Sequence, residues 1–546
     1  MARLHQDEEN SRSTDQEPQE ALAVDSLIHP RTHRRRVWFL IAVVLAAAPH
    51  CSESPSRPAP KRDAGTFDLA VNHGRVIDPE TGLDGIRHLG IRDGEIVAIA
   101  EEPLQATEVI DATGLVVAPG FIDLHTHSPT RLGQHFQLFD GVTTALDLEA
   151  GAHPVEAYAG KVSDAALIHY GASVGYMPIR MLHRDGVALT SVDSSPWPRG
   201  VKGWATAVRV LLYGQTAALK RTFAQTASAE ELEAMRAALD VGLASGGLGI
   251  GLTLDYMSEA IDERELRMIF STAAQHGVVV FVHIRRGVNG DPSGLHEVLA
   301  MARETGAAVH VCHVTHNAMR NIDLFLRELK NAREQGLDVT TEMFPYDAGS
   351  TFISAAVFDR DWQTIFGITY EDVQWAATGE RLTRETWNAY REKSPNGLVI
   401  HHYLKEEWLR RSLVEPGMIV VSDLPPMKSR DEFVPPHNGS FSKVLARYVR
   451  ELGLITLPEA IEKMTLLPAR RLESFAPAFR RKGRLQEGMD ADITVFAPEA
   501  ILDRASYENP YQEAIGIEHV IVKGVHLVDA GRLRPGIFPG KRLTAK

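Results

Sequence analysis

Cysteine is almost absent from this chain of 546 residues: Cys51 and Cys312 are the only two. A single pair cannot make a disulfide framework or a zinc ribbon, so any metal site must rest mainly on His, Asp and Glu. An excess of positive charge is also missing. The formal net charge is −13, which argues against a nucleic-acid surface and says nothing about fold. Long apolar runs are missing too. The longest near the N-terminus, residues 37–48, has twelve residues, fewer than the ~18 wanted for a membrane span. What remains, 44% hydrophobic and 24% charged, is ordinary for a large globular protein with room for one catalytic domain and a smaller companion.

The N-terminal 65 residues stand apart. Residues 1–30 are polar, acidic and without periodicity, which reads as a disordered extension. Residues 31–51 join a basic cluster, Arg34-Arg35-Arg36, to the short apolar run and Ala46-Ala47-Ala48, the pattern of an export signal or anchor. Residues 52–65, with Pro55, Pro58 and Pro60, read as a linker. The expectation is an exported protein, periplasmic, secreted or membrane-anchored, whose N-terminus either associates with a membrane or is removed by signal peptidase. A cytoplasmic location follows if the segment is not a signal.

Residues 66–118 show short β-type runs punctuated by Asn72-His73-Gly74 and Arg92-Asp93-Gly94, and residues 476–546 have the same texture. The two ends are expected to pair into one β-sandwich. Between them, residues 119–475 alternate strands and helices. Helices are expected at 229–245, 262–275, 294–304 and 322–335. Strands are expected at 167–174, 249–253, 278–283, 308–313 and 337–342. Repeated β-α units imply a parallel sheet, here a (β/α)8 TIM-like barrel, whose chemistry sits at the C-terminal strand ends.

Several residues suited to metal chemistry fall at such ends. His125 and His127 are spaced i, i+2, which places both imidazoles on one strand face. His283 and His313 each close an apolar run. Asp423 ends another, where an acid can touch a metal and shuttle a proton. Asp147 and Glu149 share a face of the strand after His125-Thr126-His127, and Glu149, nearer its end, is the preferred inward acid. His310 and His316 are weaker candidates. By strand parity His310 and Cys312 face away from His313, which makes Cys312 a small buried apolar residue.

With these residues in place, the chain resembles the metal-dependent amidohydrolase superfamily, and within it the D-aminoacylases, the N-acyl-D-amino-acid deacylases. The resemblance rests on residues 119–127, on the two later strand-end histidines and on Ser422-Asp423. Gly141-Val142-Thr143-Thr144, Leu254-Asp255-Tyr256, residues 345–351, 447–451 and 463–465, Leu467-Pro468-Ala469 and Ala491-Asp492-Ile493 extend it over roughly residues 66–535. It implies a barrel with a β-sandwich built from both chain ends. It further implies a hydrolase of amide-type C–N bonds other than ordinary peptide bonds, acting on a small molecule with one or two divalent ions, zinc foremost. His125, His127, His283 and His313 would hold the metal, and Asp423 would ligate it and move the proton. Tyr256, Tyr346 and Ser350 would contact substrate.

Two departures from the family pattern bear on chemistry. The family carries a metal-ligating cysteine just after the Gly-Val-Thr-Thr strand; here Glu149 stands there, and a carboxylate can bridge two ions. The family's Pro-His-Pro-Arg segment after the catalytic Asp, whose Arg is expected to clamp the substrate carboxylate, is replaced by Pro435-Pro436-His437-Asn438, without arginine. Arg285, Arg286 and Arg430 are the candidate substitutes. Phe344 also stands where relatives often have tyrosine. The alternatives are a cyclic-amide or dipeptide hydrolase, dihydroorotase-like or isoaspartyl-dipeptidase-like, and a catalytically inactive scaffold on the same fold. The former often use a carboxylated lysine, for which Lys202 is the candidate. Substrate stereochemistry and oligomeric state are not legible in the sequence.

Overall fold

A computed structural model describes residues 67–546 apart from 163, 193, 214–218 and 431–433. The export signal, extension and linker read from the first 65 residues lie outside the described residues. Among the described residues, no helix is long and apolar enough to cross a membrane.

Eight parallel strands form the catalytic barrel. In chain order they are β1 (Phe121–Asp123), β2 (Val142–Ala152), β3 (His169–Gly175), β4 (Ile250–Thr253), β5 (Val279–His283), β6 (Ala308–Val311), β7 (Val339–Met343) and β8 (Met418–Val420). Each neighbour pair from β1 to β8 is parallel. The ring closes just past the ends of β1 and β8. The Asp423 N–H donates to the His125 carbonyl and the His127 N–H to the Leu424 carbonyl, each at 2.8 Å. The barrel's interior is apolar, with Ile122, Leu146, Phe281, Cys312 and Ile419 in one buried cluster. Cys312 is therefore the small buried residue the sequence implied.

The helices between strands lie where periodicity and capping residues set them. The first long one, Ala229–Ala244, starts in a full capping box between Ser228 and Glu231. The next, Glu263–His276, is capped by the Asp262 side chain and stopped by Gly277 in the left-handed region at φ 64°. Their apolar faces pack on the outer side of the strands, with Leu239, Ile269, Phe270 and Val280 all buried.

The chain ends build a second sheet of nine strands. Val116–Pro119, the last of the N-terminal run, pairs antiparallel with Ile493–Phe496, the first of the C-terminal run. The long strand Phe67–Asp78 takes Ala106–Asp111 along its first half and Val116–Pro119 along its second. Leu69, Val76, Ile91, Ile110 and Val495 fill the core so enclosed. The last residues leave this sheet and return to the barrel: the Leu543 N–H donates to the Tyr170 carbonyl at 2.8 Å. A three-stranded antiparallel sheet, Ala348–Phe352, Leu398–His402 and Val373–Trp375, is inserted between β7 and β8.

Candidate metal centre

Six side chains from five barrel strand ends meet at one mouth. His125 and His127 follow β1, Glu149 lies on β2, His283 ends β5, and His313 and Asp423 follow β6 and β8. All six sequence-predicted ligands are brought together. Two reach the centre through unusual backbone: His313 at φ 32° and Asp423 at φ 48°, in the left-handed region that non-glycine residues seldom occupy. That turn explains why strand parity does not place His313. The strand has ended at Val311, so the ring is aimed by the turn and not by the pleat.

Glu149 gets there because β2 leaves its register with β3 between Asp147 and Ala152. A bulge at a barrel rim re-aims side chains in this way. The detour needs close backbone passage over β4, and Gly251 permits it: a Cβ there would lie 2.5 Å from the Glu149 carbonyl oxygen.

Two carboxylate oxygens gather around the paired Nε2 atoms of His125 and His127. His125 Nε2 is 3.2 Å from His127 Nε2, 3.3 Å from Glu149 Oε2 and 3.3 Å from Asp423 Oδ1. His127 Nε2 is 3.4 Å from Glu149 Oε2 and 3.5 Å from Asp423 Oδ1. Bonds of ~2.0–2.1 Å to a tetrahedral ion require edges of about 3.3–3.4 Å, and each of these five separations is close to that length. Glu149 divides its oxygens. Oε2 belongs to this group, while Oε1 lies 2.9 Å from His283 Nδ1 and 2.8 Å from His313 Nε2. Glu149, His283 and His313 thus form a second candidate cluster sharing one carboxylate with the first.

The electrostatics match a site whose protons a cation would replace. Burial disfavours a charged ring at His125, yet Asp423, Glu149 and Glu342 hold its pKa well above the usual imidazole value. Burial likewise favours a neutral Glu149, but His125, His127 and His283 hold its carboxyl well below the ordinary range. His283 is pushed down, by burial and then by the neighbouring His313.

Behind the donors stands a supporting layer, of which sequence reasoning named Asp147 and His310 as candidates but not Glu342. His125 Nδ1 lies 2.5 Å from Glu342 Oε1, on β7, and the other oxygen of Glu342 lies 2.9 Å from His310 Nε2. His127 Nδ1 faces Asp147 Oδ1 at 3.3 Å. Carboxylates in these positions fix the ring orientation and leave Nε2 free for metal. Asp147 thus backs a ligand, while Glu149 supplies one. The available signal for Glu342 was its place near the end of the strand expected over 337–342.

The predicted substrate residues lie at varied depth. The Tyr256 ring meets that of His283 edge-on at 5.3 Å, and its hydroxyl is 3.1 Å from Thr351 Oγ1. Tyr346 is buried and stacks on His437, whose Nδ1–H donates to the Asp423 carbonyl at 2.8 Å. Ser350 lies on the inserted sheet with its hydroxyl buried and unpartnered. His316 is buried and stacked on Phe344 at 3.8 Å, with neither ring nitrogen hydrogen-bonded. Lys202 sits on the helix Gly200–Tyr213, its ammonium donating to the His183 carbonyl at 2.9 Å.

Comparison with known proteins agrees with this architecture. The model of the amidohydrolase family matches residues 108–528. The N-acyl-D-glutamate deacylase of Alcaligenes xylosoxydans xylosoxydans is 31% identical over 479 residues, covering 84% of this chain and 93% of the relative. The D-aminoacylase of the same organism is 28% identical over 492 residues, covering 85% and 94%. Among solved structures, the N-acyl-D-glutamate deacylase of Bordetella bronchiseptica, complexed with zinc and a phosphonate inhibitor, superposes with a TM-score of 0.70. It is 26% identical and covers 88% of this chain and 100% of its own.

Proposed function

The chain belongs to the amidohydrolase family, and from that membership we propose that it is a metal-dependent hydrolase of an amide-type C–N bond, acting as an N-acyl-D-amino-acid deacylase. The observation that carries this reading is the convergence of His125 Nε2 and His127 Nε2 on each other and on Glu149 Oε2 and Asp423 Oδ1, at 3.2–3.5 Å.

A bound divalent ion, zinc foremost, would polarise the scissile carbonyl and lower the pKa of water toward neutrality. The chain's own residues do the rest. His125 presents Nε2 because Glu342 takes up its Nδ1 side, and Asp147 Oδ1 stands 3.3 Å from His127 Nδ1. Glu149 spans the two donor clusters. Asp423 is the ligand best placed to handle protons: its side chain is 23% exposed, against 1% for His125 and 6% for Glu149. Its carboxylate accepts the proton of the attacking water and returns it to the leaving nitrogen as the C–N bond breaks. The products are a carboxylate and a free amine, and no redox partner is needed.

A cyclic-amide hydrolase dependent on carboxylated lysine fits less well, because Lys202 points to a helix-end carbonyl. An inactive scaffold would have little reason to retain six converging donors with their supporting carboxylates. The deciding experiment is a hydrolysis screen of metal-loaded protein against N-acyl-D-amino acids, N-acyl-L-amino acids, dipeptides and cyclic amides. Release of free amino acid from N-acyl-D-amino acids is expected. Activity confined to another class would overturn the reading, and no activity with or without chelator would favour the scaffold.

A further inference from the structure

Of the three arginines that sequence offers in place of the missing clamp, one is committed elsewhere and one, Arg430, is exposed to solvent. Arg285 donates to Glu297 Oε2 at 2.9 Å, to the Ile261 carbonyl at 2.6 Å and to the Ser258 carbonyl. Arg430 lies over the Phe136 ring at 5.1 Å. Arg286 is different. It is 9% exposed, and among the described residues no carboxylate oxygen lies within 4.0 Å of its guanidinium. Against burial, Arg286, His283 and Arg360 hold the Asp255 carboxyl below its ordinary range; that carboxylate receives the Arg286 backbone N–H and is paired with Arg360 at 2.9 Å.

Two aromatic rings lie beside the Arg286 guanidinium. Its central carbon lies 5.0 Å from the Phe366 ring centre and 5.8 Å from that of Tyr403. Aromatic faces stabilise a cation without using its N–H groups. The one polar side-chain contact in reach is Asn317 Oδ1, at 3.5 Å from Nη2. Nε is buried with no partner. A guanidinium carries five in-plane donors matched to a carboxylate, and leaving them buried and unpaired is costly.

Arg286 also adjoins the metal centre. Asn317 Nδ2 is 3.3 Å from His313 Nδ1, so Arg286, Asn317 and His313 form one line of contacts. Burial, with His313 and Arg286 nearby, pushes His316 well below the usual range; burial and Arg286 do the same to His401.

We propose that Arg286 is the specificity-determining cation of this site, receiving the free carboxylate of the substrate edge-on and doing the work of the arginine missing beside His437. The assignment rests on the deacylase reading and sharpens it: the substrate is an N-acyl amino acid with an ionised carboxyl group, not a neutral amide.

The test uses the metal-loaded full chain with N-acetyl-D-leucine and its uncharged carboxamide, N-acetyl-D-leucinamide. In the wild type the acid should exceed the carboxamide in kcat/KM. In Arg286→Met that ratio should fall by roughly 10–100-fold, the range of a charge-assisted hydrogen bond, mainly through KM. Arg286→Lys should restore part of it as a point charge without the planar fork. Bound metal per chain, measured alongside, should not change. A wild type that hydrolyses both probes at similar kcat/KM overturns the assignment without any variant, as does an Arg286→Met protein that is metal-replete and keeps the wild-type ratio. If the wild type hydrolyses other amides but neither probe nor any N-acyl-D-amino acid in the screen, the deacylase reading itself fails.

Discussion

The backbone amide of Asp423 donates to the carbonyl of His125 at 2.8 Å, so the hydrogen bond that closes the barrel joins two metal-ligand candidates. The first and last strands must meet for the ring to exist, and where they meet His125, His127 and Asp423 are delivered together. Ser422 tightens the seam. Its hydroxyl donates to Asp123 Oδ2 at 2.5 Å, and its backbone N–H donates to Asp123 Oδ1 at 3.1 Å.

Replacing Asp423 by Asn keeps its size and one oxygen donor while removing the base. Turnover should fall by about 10²–10⁴-fold, with metal content by elemental analysis unchanged. Near-wild-type turnover would take the proton-transfer role away from Asp423.

Glu149→Gln removes the charge and the second anionic oxygen that reaches His283 and His313. Under zinc-replete conditions followed by dialysis, the wild type should carry two ions per chain and the variant one. Equal stoichiometry in the two proteins would rule out a bridging Glu149.

Glu342→Gln tests the layer behind the ligands. An amide can accept from His125 Nδ1 or from His310, but it lacks the two anionic oxygens that serve both. Metal affinity in chelator competition should weaken about 10–100-fold. An unchanged affinity would make Glu342 a packing residue.

Asp492 anchors the second sheet to the barrel. Its carboxylate lies 2.5 Å from Lys482 Nζ and 3.2 Å from His169 Nε2, on β3. Burial alone would raise its pKa, but Lys482 and His169 hold it far below the ordinary range. The folded pKa is depressed, so the stabilisation is fully present above the unfolded value near ~3.9 and is lost as pH falls below it. Asp492→Asn should cost about 3–5 kcal/mol in denaturant unfolding at pH 7, and the gap from wild type should narrow only below about pH 4. A gap that shrinks between pH 8 and pH 5 would assign the effect to another group.

The sequence conveyed much of this arrangement because the decisive signals were local. The run into His125-Thr126-His127, the apolar strands ending at His283 and His313, and the caps at Ser228 and Asp262 can each be read within a few residues. The support behind the ligands could not. Glu342 is a strand acid like many others until the barrel brings β7 beside His125, more than two hundred positions away. The left-handed turn that aims His313 follows the strand and leaves no mark in the strand pattern. Arg285, Arg286 and Arg430 are equivalent on paper. Only their partners separate them, and those partners come from the insertion between β7 and β8 as well as from the barrel.

Glu149 in place of a thiolate also bears on durability. The six converging ligand candidates are imidazoles and carboxylates, and neither peroxide nor a thiol-capping reagent at ordinary dose has a soft sulfur among them to attack. Among the described residues the one sulfhydryl is that of Cys312, 1% exposed and within 4.8 Å of ligand atoms of His125 and Glu342, and burial pushes its pKa well above that of a free thiol. A thiol kept protonated and covered is inert. The centre is therefore built to tolerate oxidising surroundings without a reductant to maintain it.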